Sequence, residues 1–597
     1  MASLWGFCLV HFFLCTLPVT ALWPQPRNLT HGASTVWISP SVQLRFVDER
    51  SALSHVWRPL RDGIQYFLGG LLPSQGEKKH NAERDDVVAA FERAREFIFN
   101  HRFVPRKFYP RNFTFEPGID ESENAPHVKT LIVTLTPLKC AIAENRGRAS
   151  SDEAYQLWIS ESGNASITAS GSRGAIYGID TFAQLFYAHS LSVTEGYLSI
   201  APVHIVDSPA FDHRGVNLDI SRNWIAPTDA IRVLEAMAHC KFNKLHLHAS
   251  DAQSWPLDIP SLPGLAAKGA YDSSQIWSPE DLRWVQRHGR LRGIEVYLEI
   301  DIPGHTTSVA ASQPELIASA YREPWITYAA EPPAGQLTLG SADVMAFLKT
   351  LLNDLVPRNA EVSSHFHLGG DEVNAHVYGL GSDSSVTKDK IRAQVQKIMD
   401  QAFAIASKYK QTTIVWEELL LEWNLTLPSN TIIQTWRSNE ALAQVLARGH
   451  RVLFGASTHW YLDCGHGAWF DPATPERPGP DPRASPPYMD QCAPYKNWRT
   501  IYSYNPLEGL SPKQRHLIAG GEVHMWTEMT DAVTLDGMLW PRAAVAAEIL
   551  WTGTGTPVSE DTTRRLAELR ERLVLEGVKA GVVQMEWCLR NKGGCTV

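Results

Sequence analysis

Hydrophobic and polar positions change rhythm once along this chain, near Asp207-Ser208-Pro209. Before that point, short alternating runs at 35–38, 130–136, 155–160 and 165–169 flank one amphipathic helical stretch at 174–188. The mixture predicts a small α/β domain over 22–206. Within it, residues 74–86 are dense in Lys, Glu, Arg and Asp, which predicts an exposed loop with a candidate processing site, and hence a candidate propeptide in this domain. Beyond Pro209 the chain repeats strand and helix. Apolar strands are predicted at 215–220, 244–248, 294–300, 365–368, 412–416, 431–436, 451–454 and 521–526, with helical stretches at 227–240, 279–292, 342–355, 388–409 and 440–447 between them. Eight buried strands with crossover helices are the pattern of a (β/α)8 TIM barrel, so the α/β chain divides into a smaller first domain and a barrel at 207–597, closed by a helix at 559–575. A doubly wound sheet is the alternative, but no Gly-x-Gly-x-x-Gly follows the first strand and polar residues end nearly every strand.

At 597 residues the chain exceeds one ordinary core, in keeping with two domains. A net charge of −9 offers no basic face for a phosphate backbone and argues against a nucleic-acid partner. The one long apolar run, 4–19, precedes Thr20 and Ala21 and is shorter than the ~20 residues of a spanning helix. Residues 1–21 therefore read as a secretory signal peptide, with no membrane attachment once it is removed. Sequons at Asn28, Asn112, Asn164 and Asn424 are candidate glycosylation sites that agree with this route. The expected location is extracellular, with a lysosome- or vacuole-like compartment as the alternative. Cys8 and Cys15 leave with the leader. In oxidising surroundings Cys464 with Cys492 and Cys588 with Cys595 are natural disulfides, while Cys140 and Cys240 lie in apolar contexts as candidate free thiols.

The chemistry concentrates in His365-Phe-His-Leu-Gly-Gly-Asp-Glu-Val-Asn374, a short strand that stops in two glycines and two acids. Glycines let a ligand approach the backbone, and neighbouring carboxyls repel, which separates their pKa values and lets one act as a general acid. Barrels carry their active groups at the C-terminal strand ends. Read there, the chain presents Asp219, Arg222, His246, His248, Asp251, Glu299, Asp301, His305, Asp371, Glu372, Trp416, Glu417, Trp436, Tyr461, Asp463, Trp526 and Glu528. Acids for hydroxyls and indoles for C–H faces suit a sugar. Two other readings stay open. His246-Leu-His248 has a spacing that can chelate zinc in a metal-dependent hydrolase, and the aromatic wall alone would serve a non-catalytic sugar-binding barrel. The sugar reading needs no metal and no cofactor.

These residues resemble the family 20 glycoside hydrolases, the β-N-acetylhexosaminidases, most closely their secreted fungal type. The matching strings are Arg214-Gly with Asp219-Ile-Ser-Arg222, Asn243 to His248 with Asp251, Glu299 to His305, His367 to Glu372, Trp416-Glu-Glu, Tyr461-Leu-Asp463, Gly520 to Trp526 and Trp540-Pro-Arg, with Leu22-Trp-Pro and Gly174-Ala-Ile-Tyr-Gly further upstream. Leu247 and Ala252 depart from a common Trp and a common acid. The resemblance implies an exo-acting, retaining, substrate-assisted enzyme that releases terminal N-acetylglucosamine or N-acetylgalactosamine from glycoconjugates or chitooligosaccharides through an oxazolinium ion. It assigns proton transfer to Glu372, the acetamido N–H to Asp371 and the acetamido oxygen to Tyr461. The expected sugar-contacting set is Arg214, Asp251, His305, Trp416, Trp436, Asp463, Trp498, Trp526 and Glu528. A homodimer is also implied.

Overall fold

The computed structural model describes residues 21–50, 75–136, 151–471, 482–553 and 557–596. The expected leader, but for Ala21, and Cys140 lie outside them. The first domain is a six-stranded sheet built from β1 (Asn28–Asp48), β2 (His127–Leu135), β3 (Tyr155–Ile159), β4 (Ala165–Ala169), β5 (Tyr187–Ala188) and β6 (Gly196–Asp207), in the order β1-β2-β4-β3-β6-β5. β3 and β4 alternate buried and partly exposed positions, so one face is free to pack. Helix Ser172–Gln184 covers that face with Ile176, Ile179 and Phe182.

Residues 75–86 depart from the expectation of a loop: they begin a helix, Gln75–Glu96, and Ser74 lies outside the described residues. Its apolar positions Val87, Ala90, Phe91 and Ala94 follow helical spacing and join the core of the sheet. The first three turns carry the charges, which hides that periodicity from a reading of composition. The pairings of β1 with both β2 and β6 make the segment after Leu22 part of the sheet.

The second domain is a closed barrel of eight strands: β7 (His213–Asp219), β8 (Lys244–His248), β9 (Glu295–Glu299), β12 (His365–His367), β13 (Thr412–Trp416), β14 (Ile432–Thr435), β15 (Arg451–Phe454) and β16 (Ile518–Met525). A small hairpin, β10 (Ile317–Ala318) and β11 (Gln336–Leu337), rises after β9. All neighbouring barrel strands are parallel. The crossover helices start where the sequence supplies caps. Ser278 and Asp281 form a reciprocal capping box, and Ser341, Thr387 and Ser438 each accept an amide of the first turn. Outward residues such as Leu245 and Leu247 pack on these helices. Inside, Tyr297, Ile414, Ile432, Leu453 and Ala519 form an apolar layer, and a polar layer adjoins it.

Arg214, expected at the sugar, is fully buried at the other end of β7. Its guanidinium binds both Glu153 carboxylate oxygens at 2.9 and 3.0 Å, donates to Tyr177 Oη at 3.0 Å and lies over the Trp551 ring. It joins the domains. Although burial opposes ionisation of both partners, their attraction holds the Glu153 carboxyl below its usual range and the Arg214 guanidinium above its own. Removing one member of such a pair strands a buried charge, so Arg214→Met is expected to cost about 3–5 kcal/mol in denaturant unfolding.

A second joint is pH-sensitive. Glu576, after the C-terminal helix Glu560–Leu575, lies 2.8 Å from His239 Nε2 on the barrel and 3.3 Å from His101 Nδ1 on the first domain. Burial works against charge on His239 and the hydrogen bond to Glu576 favours it on His101, with the net direction upward for both imidazoles. Glu576 is pulled down to about 2 against the effect of its own burial. Asp180, Arg93, Glu235 and Glu96 also face the cluster. Raised imidazoles stabilise the fold below 6.5 and lose that contribution as pH climbs through their folded values; the depressed carboxyl contributes above 4.5 and loses it toward 2. Glu576→Gln is therefore expected to lower Tm most between pH 4.5 and 6.5 and much less at alkaline pH, in a thermal-unfolding series.

Candidate active site

The acid pair is presented by a turn that only glycine permits. From β12 the chain passes through Gly369 and Gly370, whose φ angles are +64° and +102°. A Cβ on Gly369 would lie 1.9 Å from Asp301 Oδ1, and one on Gly370 2.4 Å from Leu419 Cδ1. The Gly370 amide donates to Asp301 Oδ1 at 2.8 Å. Glu372 itself has φ +49°, a conformation that costs of order 1–3 kcal/mol and must be held by its surroundings. Gln336 of β11 helps to hold it by donating to the Glu372 carbonyl at 3.2 Å.

Asp371 and Glu372 open onto a cleft with about 890 Å³ of empty space, its mouth included. Trp436, Tyr461 and Trp526 wall one end, with the Trp436 and Tyr461 rings stacked at 6.0 Å. Trp436 Nε1 donates to Glu418 at 2.9 Å. Arg222, Asp463 and Glu528 add charged groups to the lining; Arg222 lies 4.9 Å from the Trp526 ring and is tied to Asp251 at 2.9 Å and Glu331 at 3.0 Å. Trp469, Phe470, Arg483 and Asp490 line the mouth, and Trp325 stacks on Phe470 at 5.2 Å. The disulfide Cys464–Cys492 ties this rim to the residue after Asp463.

Charge is organised around His305. Its Nδ1 lies 2.9 Å from Asp251 Oδ1, and its Nε2 is 3.4 Å from Glu372 and 3.7 Å from Asp371. Burial disfavours the imidazolium, yet Asp251, Asp371 and Asp301 push its pKa far above the ordinary value, so the ring is a cation. Burial and the closeness of Asp301 push Asp371 well up, while burial takes Asp301 to about 7, so the two carboxyls titrate as a pair. The sequence paired Asp371 with Glu372, whereas the structure gives Asp371 a second carboxyl partner from β9. Burial likewise raises Asp463 to about 7 and raises Glu528 strongly, Glu331 adding to the latter. Acids held this way can donate as well as accept hydrogen bonds to hydroxyls.

His246 and His248, the zinc-like pair, point into the barrel and meet carboxylates. His248 is held at 2.6 Å by both Glu299 and Asp251, and His246 lies 3.0 Å from Glu299 and 3.1 Å from Glu522. Trp416 Nε1 donates to Glu299 at 2.7 Å, and Glu522 also accepts from Tyr297 at 2.6 Å and Gln434 at 2.9 Å. Ring nitrogens so engaged act as the scaffold beneath Asp251, His305 and Trp526.

The structure thus gathers His305, Asp371, Glu372, Trp436, Tyr461, Asp463, Trp526 and Glu528 at one cleft. Asp251 and Trp416 lie one layer behind, both buried. Trp498 does not line the cleft: it is the first residue of the short helix Trp498–Tyr502, capped by Asn497, and is buried in the barrel's main core with Arg499 over its ring. Arg222 occupies the place expected for Arg214, and Glu418, one residue beyond the expected Glu417, faces Asp371. Glu331 and the mouth residues come from irregular loops, where no periodic signal announces them. Both expected disulfides form, Cys240 is free and buried, and all four sequon asparagines are exposed.

A (β/α)8 barrel with paired acids at a strand end and an indole-walled sugar-sized cleft is the architecture of a glycoside hydrolase. Residues 211–554 match "Glycosyl hydrolase family 20, catalytic domain" and residues 22–185 match "beta-acetyl hexosaminidase like". A β-hexosaminidase of Arthroderma benhamiae is 42% identical over 97% of each chain. A chitooligosaccharidolytic β-N-acetylglucosaminidase of Ostrinia furnacalis is 32% identical, covering 74% of this chain and 75% of its own. The solved structure of an exo β-N-acetylglucosaminidase from Vibrio harveyi in complex with N-acetylglucosamine shares the fold, with a TM-score of 0.69 at 20% identity over 96% of this chain and 80% of that one. The chain belongs to glycosyl hydrolase family 20 and is a glycoside hydrolase of the β-hexosaminidase type.

Proposed function

We propose that the protein removes terminal non-reducing N-acetylhexosamine from oligosaccharides by substrate-assisted, retaining hydrolysis, and that it does so after secretion. The observation that carries the mechanism is the placement of Asp371. It lies near enough to Tyr461 to raise that phenol's pKa, beside the aromatic wall that an acetamido group would use, while the Glu372 side chain is the more exposed of the two acids and is assigned to the leaving group. In its ionised form, Asp371 accepts the acetamido N–H and turns the acetamido oxygen toward the anomeric carbon. Tyr461 Oη donates to that oxygen. Glu372 protonates the glycosidic oxygen, and the His305 cation, anchored by Asp251, stabilises the carboxylate it leaves. The oxazolinium charge is then held by Asp371. Arg222, Asp463 and Glu528 bind the ring hydroxyls, and Trp469 and Phe470 offer a stacking surface to the next sugar.

The Ostrinia relative is named as chitooligosaccharidolytic, which suggests chitooligosaccharides as substrates here. A panel of aryl N-acetyl-β-glucosaminide, N-acetyl-β-galactosaminide and β-glucoside tests the reading, together with chitotetraose digestion. Release of single N-acetyl sugars from the non-reducing end is expected. Cleavage of the plain glucoside at comparable rates, or internal cuts, would reject it. Homodimerisation belongs to the same proposal and is checked by light scattering of the secreted protein.

A further inference from the structure

We propose that a recess beneath residues 329–336 supplies the hydrolytic water to Glu372 from the side, separately from the cleft mouth. The recess leaves room for about one water. Glu372, His305, Ala330 and Glu331 line it and the main cleft alike, so the catalytic carboxylate is reachable from both. Its remaining walls are small. Gly304 and Gly335 are close backbone approaches: a Cβ would lie 2.8 Å from Asp371 O at the first and 2.8 Å from Thr307 Oγ1 at the second, where φ is also +146°. Ala252 lines the recess and not the cleft.

A water site needs polar partners as well as room. The Gln336 amide is engaged, donating to Glu372 O at 3.2 Å and accepting from the Asn374 amide at 3.1 Å. The Glu372 carboxylate and the Glu331 carboxylate remain as acceptors on the wall. His305 Nε2 is buried there with no hydrogen-bond partner and supplies a donor. The three groups make the recess wettable and aim a water at the carboxylate that must activate it.

The inference rests on the substrate-assisted reading above. In its second step the water oxygen bonds to the anomeric carbon, the bond from that carbon to the acetamido oxygen breaks, and the water proton passes to Glu372, which regains its acid form. A released sugar resting on Trp469 and Phe470 blocks the mouth and competes as nucleophile. Water arriving laterally lets hydrolysis proceed with that product still present.

Narrowing the recess at Ala252 tests this in the full-length secreted enzyme, with 4-nitrophenyl N-acetyl-β-glucosaminide and added methanol. Ala252→Leu should keep the pre-steady-state rate of nitrophenol release, lower steady-state kcat about tenfold and so produce a burst. The ratio of methyl glycoside to free sugar should rise several-fold, because methanol still enters through the mouth. Unchanged kcat and ratio would overturn the proposal, placing water entry at the mouth. If both steps slow together, the milder Ala252→Val decides: selective slowing supports the recess, and equal slowing of both steps again overturns it. Failure of the underlying mechanism would appear instead in the wild type, as no turnover of the N-acetyl substrate or as a covalent glycosyl ester.

Discussion

Glu372→Gln loses 10²–10⁴-fold in kcat/KM on N,N′-diacetylchitobiose, the span typical of a positioned general acid. Amide and acid have the same shape, so the turn through Gly369 and Gly370 should survive and the defect should be chemical. The loss depends on the leaving group. A 4-nitrophenolate needs little help to depart, so kcat/KM on the aryl glycoside, which reports the first irreversible step, should fall much less. Its kcat should still drop, because water attack on the oxazolinium also needs the Glu372 carboxylate. Equal losses in kcat/KM on both substrates would argue against proton donation by Glu372. His305 sharpens the expectation: His305→Gln keeps a hydrogen-bonding side chain but removes the cation beside Glu372, and should shift the pH profile of the first step without abolishing it.

Asp371→Asn should cost about 10²–10³-fold in kcat on every N-acetyl substrate, comparable to removing a preorganised group from a developing charge. The amide presents an N–H where an acceptor is required, and it carries no charge to answer the oxazolinium. The acetamido oxygen is then no longer held for attack. The defect should be independent of leaving group, unlike that of Glu372→Gln, and a cyclic thiazoline mimic of the intermediate should lose most of its advantage over substrate. Retained thiazoline affinity in Asp371→Asn would place the acetamido group elsewhere. The two variants therefore separate two carboxylates that are neighbours in sequence yet differ in surroundings, Asp371 beside Asp301 and Glu372 the more exposed.

Much of this was legible in the chain, and the exceptions have physical causes. Barrel strands such as Lys244–His248 are buried throughout and bounded by breakers, so length and apolar runs reveal all eight. The acid pair announces itself because two glycines before two acids have few structural uses. The resemblance assigns Arg214 to the sugar, but it is the second residue of β7, at the strand's N-terminal end, whereas Arg222 follows the C-terminal end and lines the cleft. Trp498 looked like another indole wall, but it lies on the outer layer beyond the rim loop. β6 carries Pro202 and pairs with β1 from far away in sequence, a long-range partnership that local pattern does not encode. The Asp301–Asp371 pairing is likewise a product of folding, since 69 positions separate Asp301 from Gly370, whose amide donates to it.

The central claim is that the nucleophile is the substrate's own acetamido oxygen, and the most direct measurement weakens that oxygen stepwise. Aryl β-glucosaminides carrying acetyl, fluoroacetyl, difluoroacetyl and trifluoroacetyl groups on nitrogen differ little in size but greatly in carbonyl nucleophilicity. Substrate assistance predicts that kcat/KM falls steeply and monotonically across the series, with retained β configuration in the product. A flat series, accompanied by a glycosyl ester on a carboxylate of the protein in intact mass spectra, would contradict it.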